Sequence, residues 1–489
     1  MSELTPPPEE GPAGPAIGKD EWVARHGERR SRRAGWIGEV EERLLHVPWW
    51  GWLVFFLASF ALLPLVAHSS YIQRVAFDTV LYMLLALGLN VVVGWGGLLD
   101  LGFVAFYGIG AYSYALLSSE KFGIHLPTLI AIPLVVLIGA VAGFLVGLPS
   151  RRLTGDYLAI VTLFFLFLFL TVATNGDQLF GHDVTGGANG ILNIDPFELF
   201  GRALAVEHGG AFAVGYLYVG LVFFGVVYIA LHFVNHSRTG RAWRSLREDS
   251  LAAEAMGMPV NVLKLMAFAF GAAIAALSGT LFAALNASTF PLTFSFPLLI
   301  TVYTMVILGG QGNLPGVVVG AVLVSVLLEL LRDANDARPL LYGFVVIALI
   351  FVFGKSPKLA IVLGGTVVFG FIAHAVAGAI NSDWTSGPTD GGLESALAHW
   401  VIIPQELVNW IGPVTYIGLI CLALALTLIR GWWRIALLIP TLYLAAFVWE
   451  NVLLAQPDAT RYIVLGAMLI VLMVLRPNGL FGERRVEII

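Results

Sequence analysis

The feature that most limits what this chain can fold into is a succession of apolar runs, most of them near the length that crosses lipid. They lie at Trp49–Ala67, Val75–Val93, Val104–Leu117, Pro127–Leu148, Tyr157–Ala173, Ala211–Val234 and Leu263–Leu285, then at Leu298–Leu308, Val317–Leu331, Leu340–Phe353, Leu359–Ile380, Val414–Ile429, Ile435–Leu454 and Tyr462–Leu475. A helix needs about 20 such residues to span the hydrocarbon. In lipid each backbone polar group must be satisfied within the chain, so the runs predict helices and not open strands. Only 12% of residues are charged and 58% are hydrophobic, too little polar surface to clothe a soluble core. The expectation is an all-α polytopic membrane protein with about 14 transmembrane or re-entrant helices. Val104–Leu117 and Leu298–Leu308 are short, and read as broken or re-entrant segments.

The net charge of −5 offers no basic excess for nucleic acid. A single cysteine, Cys421, rules out a disulfide or zinc site within one chain and reads as a small hydrophobe. The first apolar run starts too late for a secretion signal. Before it, Met1–Lys19 is rich in Pro, Gly and Glu and reads as disordered; Glu21–Leu45 is charged, with Arg29, Arg30, Arg32 and Arg33 clustered. The predicted organisation is a cytoplasmic extension over 1–46, a transmembrane core over 47–353 with an inner loop at 236–262, an additional transmembrane block over 354–458, and a last span with its tail over 459–489.

Lys and Arg concentrate in cytoplasmic loops. With the Arg-rich start inside and the runs alternating, the inner loops hold Arg151 and Arg152, Arg238, Arg241, Arg244 and Arg247, Lys355 and Lys358, Arg430 and Arg434, and Arg476, Arg484 and Arg485. The outer loop Asn175–Gly210 carries Asp177, Asp183, Asp195, Glu198 and Glu207 against Arg202, and Asn381–Pro413 has acids but no Lys or Arg. Both termini are therefore expected to be cytoplasmic. Arg338 and Arg461 each stand five residues before a glycine at the head of a span; this is either coincidence or the trace of four spans inserted beside an original last helix.

Five segments carry the chemistry. The stretch Gly88–Ala111 packs seven glycines into an apolar run with Asn90 and Asp100 inside it. Glycine permits close helix approach and broken helices, and a carboxylate at membrane depth needs a partner or a wet path. It reads as a discontinuous segment whose freed backbone groups contact a solute, or as packing notches with Asp100 an interfacial cap. Thr154 and Asp156 can cap the following run. In the outer loop, Thr185-Gly-Gly-Ala-Asn-Gly could form a backbone nest for a carboxylate. In the inner loop, Asp249-Ser-Leu-Ala-Ala-Glu-Ala-Met-Gly257 reads as a short helix capped by Asp249 and ended by Gly257, exposing Ala252, Ala253 and Ala255 beside Met256. It is too small for a core of its own and suits a groove on another protein. The Gly-rich turn Leu308-Gly-Gly-Gln-Gly-Asn313 leads into a Gly316/Gly320 face and is no phosphate loop: Gly-x-x-x-x-Gly-Lys-Ser/Thr is absent from the sequence. Asp78 and Glu329 sit near span ends, and His374 and Glu450 within or beside the extra spans.

Gly97-Leu-Leu-Asp-Leu-Gly-Phe-Val-Ala-Phe-Tyr107, Gly155-Asp-Tyr-Leu-Ala-Ile-Val-Thr-Leu163 and Arg476-Pro-Asn-Gly-Leu-Phe481 together resemble the LivM-type permeases of high-affinity branched-chain amino acid importers. The resemblance implies a homologous second permease of the LivH type, two ATP-binding cassette ATPases, an extracytoplasmic solute-binding protein, and a place in the bacterial inner membrane. It implies no cofactor bound by this chain, with ATP on the partner subunits, and no enzyme activity of its own. Asp249, Ala252, Ala253, Glu254, Ala255, Met256 and Gly257 would form the coupling helix to an ATPase. Asn90, Gly96, Gly97, Asp100 and Tyr107 would belong to the translocation path, and Thr185, Gly186 and Gly187 to the outer loop. The long extension and the block near 354–458 depart from the family pattern. A permease of the same build for urea or short amides, or a stand-alone secondary transporter, are the alternatives.

Overall fold

The computed structural model describes residues 47–481 apart from 151–154, 179–180, 200–201, 205–213, 355–356, 388–394, 396, 406–409, 430, 455 and 476–478. The expected N-terminal extension, Thr154, and most of the inner-loop cations outside Arg238–Arg247 lie outside the described residues. The chain divides into two compact units, Met1–Phe56 and Leu57–Ile489. What is described of the first is mainly the opening of helix α1 (Trp49–Val66), where Trp52 stacks on Phe56 at 5.8 Å.

In the second unit the order is α2 (Ser70–Leu89, continued by a π-helical turn Asn90–Trp95), α3 (Phe103–Leu117), α4 (Thr128–Ser150), α5 (Asp156–Thr174), α6 (Val214–His236), α7 (Arg238–Glu248), α8 (Ser250–Ala255), α9 (Val260–Asn286), α10 (Phe296–Gly309) and α11 (Leu314–Leu330). Then come α12 (Ala334–Phe353), α13 (Pro357–Ile380), α14 (Ile411–Leu428), α15 (Trp432–Val448) and α16 (Pro457–Leu475). Among the described residues, 10 helices are long and apolar enough to cross a membrane, and shorter apolar helices occupy Phe103–Leu117, Leu314–Leu330, Ala337–Ile347 and Thr460–Ile470. Each apolar run in the sequence coincides with a helix among the described residues. The extended pieces are two-residue pairings in loops, such as Ile191–Leu192 against Ser288–Thr289.

Helix α9 is the axis of the core, and α2, α3 and α4 press against it through small residues. A Cβ on Gly110 of α3 would overlap the Ala276 carbonyl oxygen, and one on Gly279 would overlap that of Tyr107. On α4, a Cβ at Gly143 would lie 2.5 Å from both the Ala272 Cβ and the Phe268 carbonyl oxygen. Gly88 and Gly271 approach in the same way, each bringing a Cβ position within about 3.1 Å of the other's carbonyl. Lipid tails are as apolar as the side chains, so helices associate by such close packing and not by expulsion of water.

The helices alternate between two ends. At one, which carries the acidic loops, Arg74 Nη2 donates to Asn286 Oδ1 at 2.6 Å, Tyr71 donates to Glu329, and Thr79 and Ser325 hydroxyls meet at 2.7 Å. Asp78 pairs with Arg74 and Glu329 with Arg332 at 3.3 and 3.2 Å; Glu329 stands at the end of α11 as expected, whereas α2 starts at Ser70 and places Asp78 inside the helix and not near its end. The opposite end carries α7, α8 and the turn before α11.

The added helices share a small core with α12, with Leu349, Val362 and Ile435 at its centre, and Tyr443 lies edge-on to Phe369 and Trp400. They join the rest at a second cluster, where Trp449 and Leu453 meet Ala337, Leu327 and Val464. Beside it Arg338 Nε lies 2.9 Å from Glu450 Oε2, with the two side chains 8% and 2% exposed, and Tyr342 donates to the other carboxylate oxygen at 3.1 Å. One of the two repeat arginines thus fastens the extra block to the head of α12. Stranding one member of a buried pair costs about 3–5 kcal/mol, whereas replacing both with apolar residues is often neutral. Arg338→Met alone should therefore destabilise by about that amount, and Arg338→Met with Glu450→Met should recover most of it, read by unfolding in detergent.

Candidate functional site

Between Trp95 and Phe103 the backbone is not helical, and it runs back into the bundle. Thr162, whose hydroxyl accepts from Leu101 N at 2.9 Å, is six residues past the start of α5 at Asp156, about 9 Å along the axis at roughly 1.5 Å per residue. Irregular backbone at that depth survives only if protein satisfies its polar groups, and neighbouring side chains do so. Asp100 N donates to the Tyr303 hydroxyl at 3.0 Å, and that hydroxyl donates back to the Asp100 carbonyl at 2.7 Å. Gly102 N donates to Asp100 Oδ1 at 2.9 Å, while Asp100 Oδ2 is buried without a partner. Gly94 O accepts from Arg247 Nη1 at 2.6 Å. Within the chain these freed backbone groups pair with Thr162, Tyr303, Asp100 and Arg247. Asp100 is fully buried and is not an interfacial cap; Gly102, not Asp100, holds the N-cap position of α3. Asp100→Asn keeps the Oδ1 acceptor and Asp100→Ala removes it. The Ala variant should melt below the Asn variant by the equivalent of about 1–2 kcal/mol.

Of the residues assigned to the path, Asn90, Gly96, Asp100 and Tyr107 are buried within the chain, and Gly97 is exposed next to the half-exposed Leu99. Asn90 Oδ1 accepts from Gly312 N at 2.8 Å, tying the π-helical turn to the turn before α11. The same turn takes the Trp95 indole N–H on Gly312 O at 3.0 Å. Tyr107 packs edge-on to Phe294 and Phe282, with ring centres 5.1 and 5.7 Å away. Gly97 has φ +65, a backbone state that L side chains rarely adopt, and a Cβ there would lie 3.0 Å from Arg247 Cγ.

Helix α7 starts at a Ser237 cap, its Oγ accepting from Gly240 N at 3.3 Å. Trp243 on its inner face donates to Leu263 O at 2.9 Å and stacks on Trp95 at 6.2 Å. Asp249 caps α8, its Oδ1 accepting from Leu251 N and Ala252 N at 2.8 and 3.0 Å. Gly257, with φ +79, ends it, and Met258 N returns to Ala253 O at 3.1 Å. Leu251 and Met256 are 76% and 80% exposed, and Ala252, Glu254 and Ala255 share the open face. Ala253 corrects the sequence reading. It is 3% exposed, because it is the residue of α8 that turns toward α7 and α9.

The outer-loop expectation also changes. Gly186 N donates to Asp183 Oδ1 at 2.8 Å and Gly187 N to Thr185 Oγ1 at 3.3 Å, while the Thr185 hydroxyl donates to Ala173 O. Two N–H groups of the expected nest, those of Gly186 and Gly187, thus bond the chain's own side chains. The Lys121 ammonium 2.7 Å from Asp183, with the Gly186 N–H, holds that carboxyl below its usual range. Nearby, the hydrogen bond from His125 to Asp195 raises the imidazole pKa. Asp156 opens α5 behind Gly155 without a side-chain cap bond. Among the described residues, no three His, Cys, Asp or Glu side chains gather as metal ligands would.

The family model described as "Branched-chain amino acid transport system / permease component" matches residues 71–354. The chain belongs to that permease family. The match ends where the added block begins. Among relatives, the high-affinity branched-chain amino acid transport system permease protein LivM of Salmonella typhimurium is 40% identical over 286 residues, 55% of this chain and 65% of that protein. The LivM of Escherichia coli is 39% identical with the same coverage. The LivH permease protein of Escherichia coli is 23% identical over 254 residues, 50% of this chain and 80% of that protein. The chain thus spans 65% of the length of the two LivM proteins. No solved structure matches. With its apolar helices, this branched-chain permease family member is a multi-pass membrane protein. Sequence reasoning missed Tyr303, Thr162 and Arg247, whose spacing from the Asp100, Leu101 and Gly94 backbone they bond leaves no local signal; an unexplained Tyr and Thr in apolar helices were the available hint.

Proposed function

We propose that this chain is the permease subunit of an ATP-driven importer for branched-chain or related small amino acids in a bacterial inner membrane, with both termini cytoplasmic. A homologous second permease of the LivH type, two separate ATPase subunits and an extracytoplasmic binding protein complete it. The observation that carries this reading is α8: a capped helix whose open face has no counterpart among the described residues, braced through α7 against the re-entrant stretch. Leu251, Ala252, Glu254, Ala255 and Met256 form the face an ATPase grips, and Gly257 sets the turn back into α9. Gly97 and Leu99 lie on the surface that meets the second permease and the solute. Asn90, Gly96, Asp100 and Tyr107 hold that surface in place from behind. The binding protein docks on the outer loop around Thr185–Gly187. ATP binding closes the ATPases, and their different affinity for the two permease states moves the opening from one side to the other.

The test is uptake of labelled leucine and of labelled urea in a deletion strain supplied with this chain and the subunits encoded beside it. Leucine uptake that stops when the ATPase carries a dead nucleotide site supports the reading. Urea uptake instead would reassign the solute. Uptake that survives the dead ATPase and collapses with an ionophore would make this a secondary transporter.

A further inference from the structure

We infer that Arg247 is the positioning residue that carries movement of α7 and α8 into the re-entrant stretch Gly94–Asp100. This rests on the coupling role proposed for α8. Three observations support it independently of that role. The Arg247 guanidinium leaves the last turn of α7 and reaches Gly94 O at 2.6 Å and Gln311 O at 3.4 Å, so it joins the end of α2 to the turn before α11. Its space is reserved by glycines on both sides: a Cβ on Gly312 would lie 2.6 Å from Arg247 Nη1, and one on Gly97 would lie 3.0 to 3.2 Å from three Arg247 atoms. The far side of the junction is stiff, because Gly312 also takes Asn90 Oδ1 on its N–H and the Trp95 indole on its carbonyl.

The chemistry favours arginine here. A planar guanidinium with several donors can serve two carbonyls at once, where an ammonium acts as a point charge on a flexible stem. Trp243 holds α7 to Leu263 and Trp95, so the helix moves as a body. A displacement of α7 must then either break the Arg247 bonds or move Gly94 and Gln311 with it. Moving Gly94 disturbs Gly97 and Leu99, the exposed part of the stretch. The rival route runs from α8 through Gly257 directly into α9 and makes Arg247 only a brace.

Hydrogen exchange and uptake on the complete importer, assembled with its ATPases and binding protein in lipid nanodiscs or vesicles, separate these. Wild type, Arg247→Gln and Arg247→Lys are compared with and without ATP on a hydrolysis-dead ATPase. In wild type, ATP should change exchange across 94–102. In Arg247→Gln that change should vanish while the ATPase still co-purifies and hydrolyses ATP when active, and solute moved per ATP should fall roughly tenfold. Arg247→Lys should lie between, because one carbonyl keeps a partner. An equal ATP response at 94–102 in the Gln variant, with uptake per ATP unchanged, overturns the inference and favours the α9 route. Loss of ATPase binding in parallel with uptake in both variants also overturns it, since Arg247 would then only shape the docking face. If wild type binds no ATPase and shows no ATP response, the coupling reading itself fails. Exchange of this chain alone then reports whether the Arg247 clamp on Gly94 exists.

Discussion

Uptake is expected to fall by at least roughly a hundredfold in Ala255→Arg and in Gly257→Pro, with both variants still inserted in the membrane and ATPase co-purification weakened. Ala255 lies exposed on the open face of α8 among the described residues, so a long cation there leaves the helix intact and spoils only what docks on it. Gly257 acts through the backbone. Its φ of +79 is out of reach for proline, whose ring holds φ near −65°, so the return of Met258 N to Ala253 O is lost. Among the described residues nothing lies within 4 Å of a Cβ at Gly257, so backbone conformation, not crowding, would account for the defect. Normal uptake with normal ATPase recovery in either variant removes α8 from the coupling path.

The second large effect is expected inside the bundle. Gly110→Val or Gly279→Val should destabilise the folded permease by about 3 kcal/mol or more, visible as loss of monodisperse protein after extraction. At both positions a Cβ would overlap backbone of the opposite helix, at Ala276 and at Tyr107. Backbone cannot rotate away as a flexible side chain can, so α3 and α9 must separate. Gly343→Val is the control: among the described residues nothing lies within 4 Å of its Cβ position, and its folded yield should match wild type. Equal yields for all three would mean that the close crossing does not hold the core.

The helices were legible because their cause is local: a run of apolar residues in lipid has one way to satisfy its backbone. The Asp249 cap and the Gly257 stop were legible for the same reason, each acting within four residues. What could not be read was pairing across the fold. Asp100 was left open between a path residue and an interfacial cap because Tyr303 and Thr162, which seat it, come 203 and 61 residues away from the groups they bond. The outer-loop glycines advertised free N–H groups, but Asp183 stands three residues before Gly186 and fills that donor. Ala253 was misplaced because a helix of two turns buries one face, and alanines on both faces look alike in sequence. Glu450 gave no sign of a mate, since Arg338 precedes it by 112 residues.

The last stretch described sits where α10 ends. Leu480 N donates to Leu308 O at 2.8 Å, Phe481 N donates to Gly309 O at 3.1 Å, and the Asn313 amide donates to Phe481 O at 3.0 Å. This clasp is 168 residues beyond the turn it closes, and the added block lies between them. A ribosome making about 5–20 residues per second would leave that turn unfastened for roughly ten to thirty seconds. During biogenesis the nascent permease therefore passes through an unlatched stage longer than a chain without the extra helices would have, a window for quality-control proteases or for early engagement of a sister subunit.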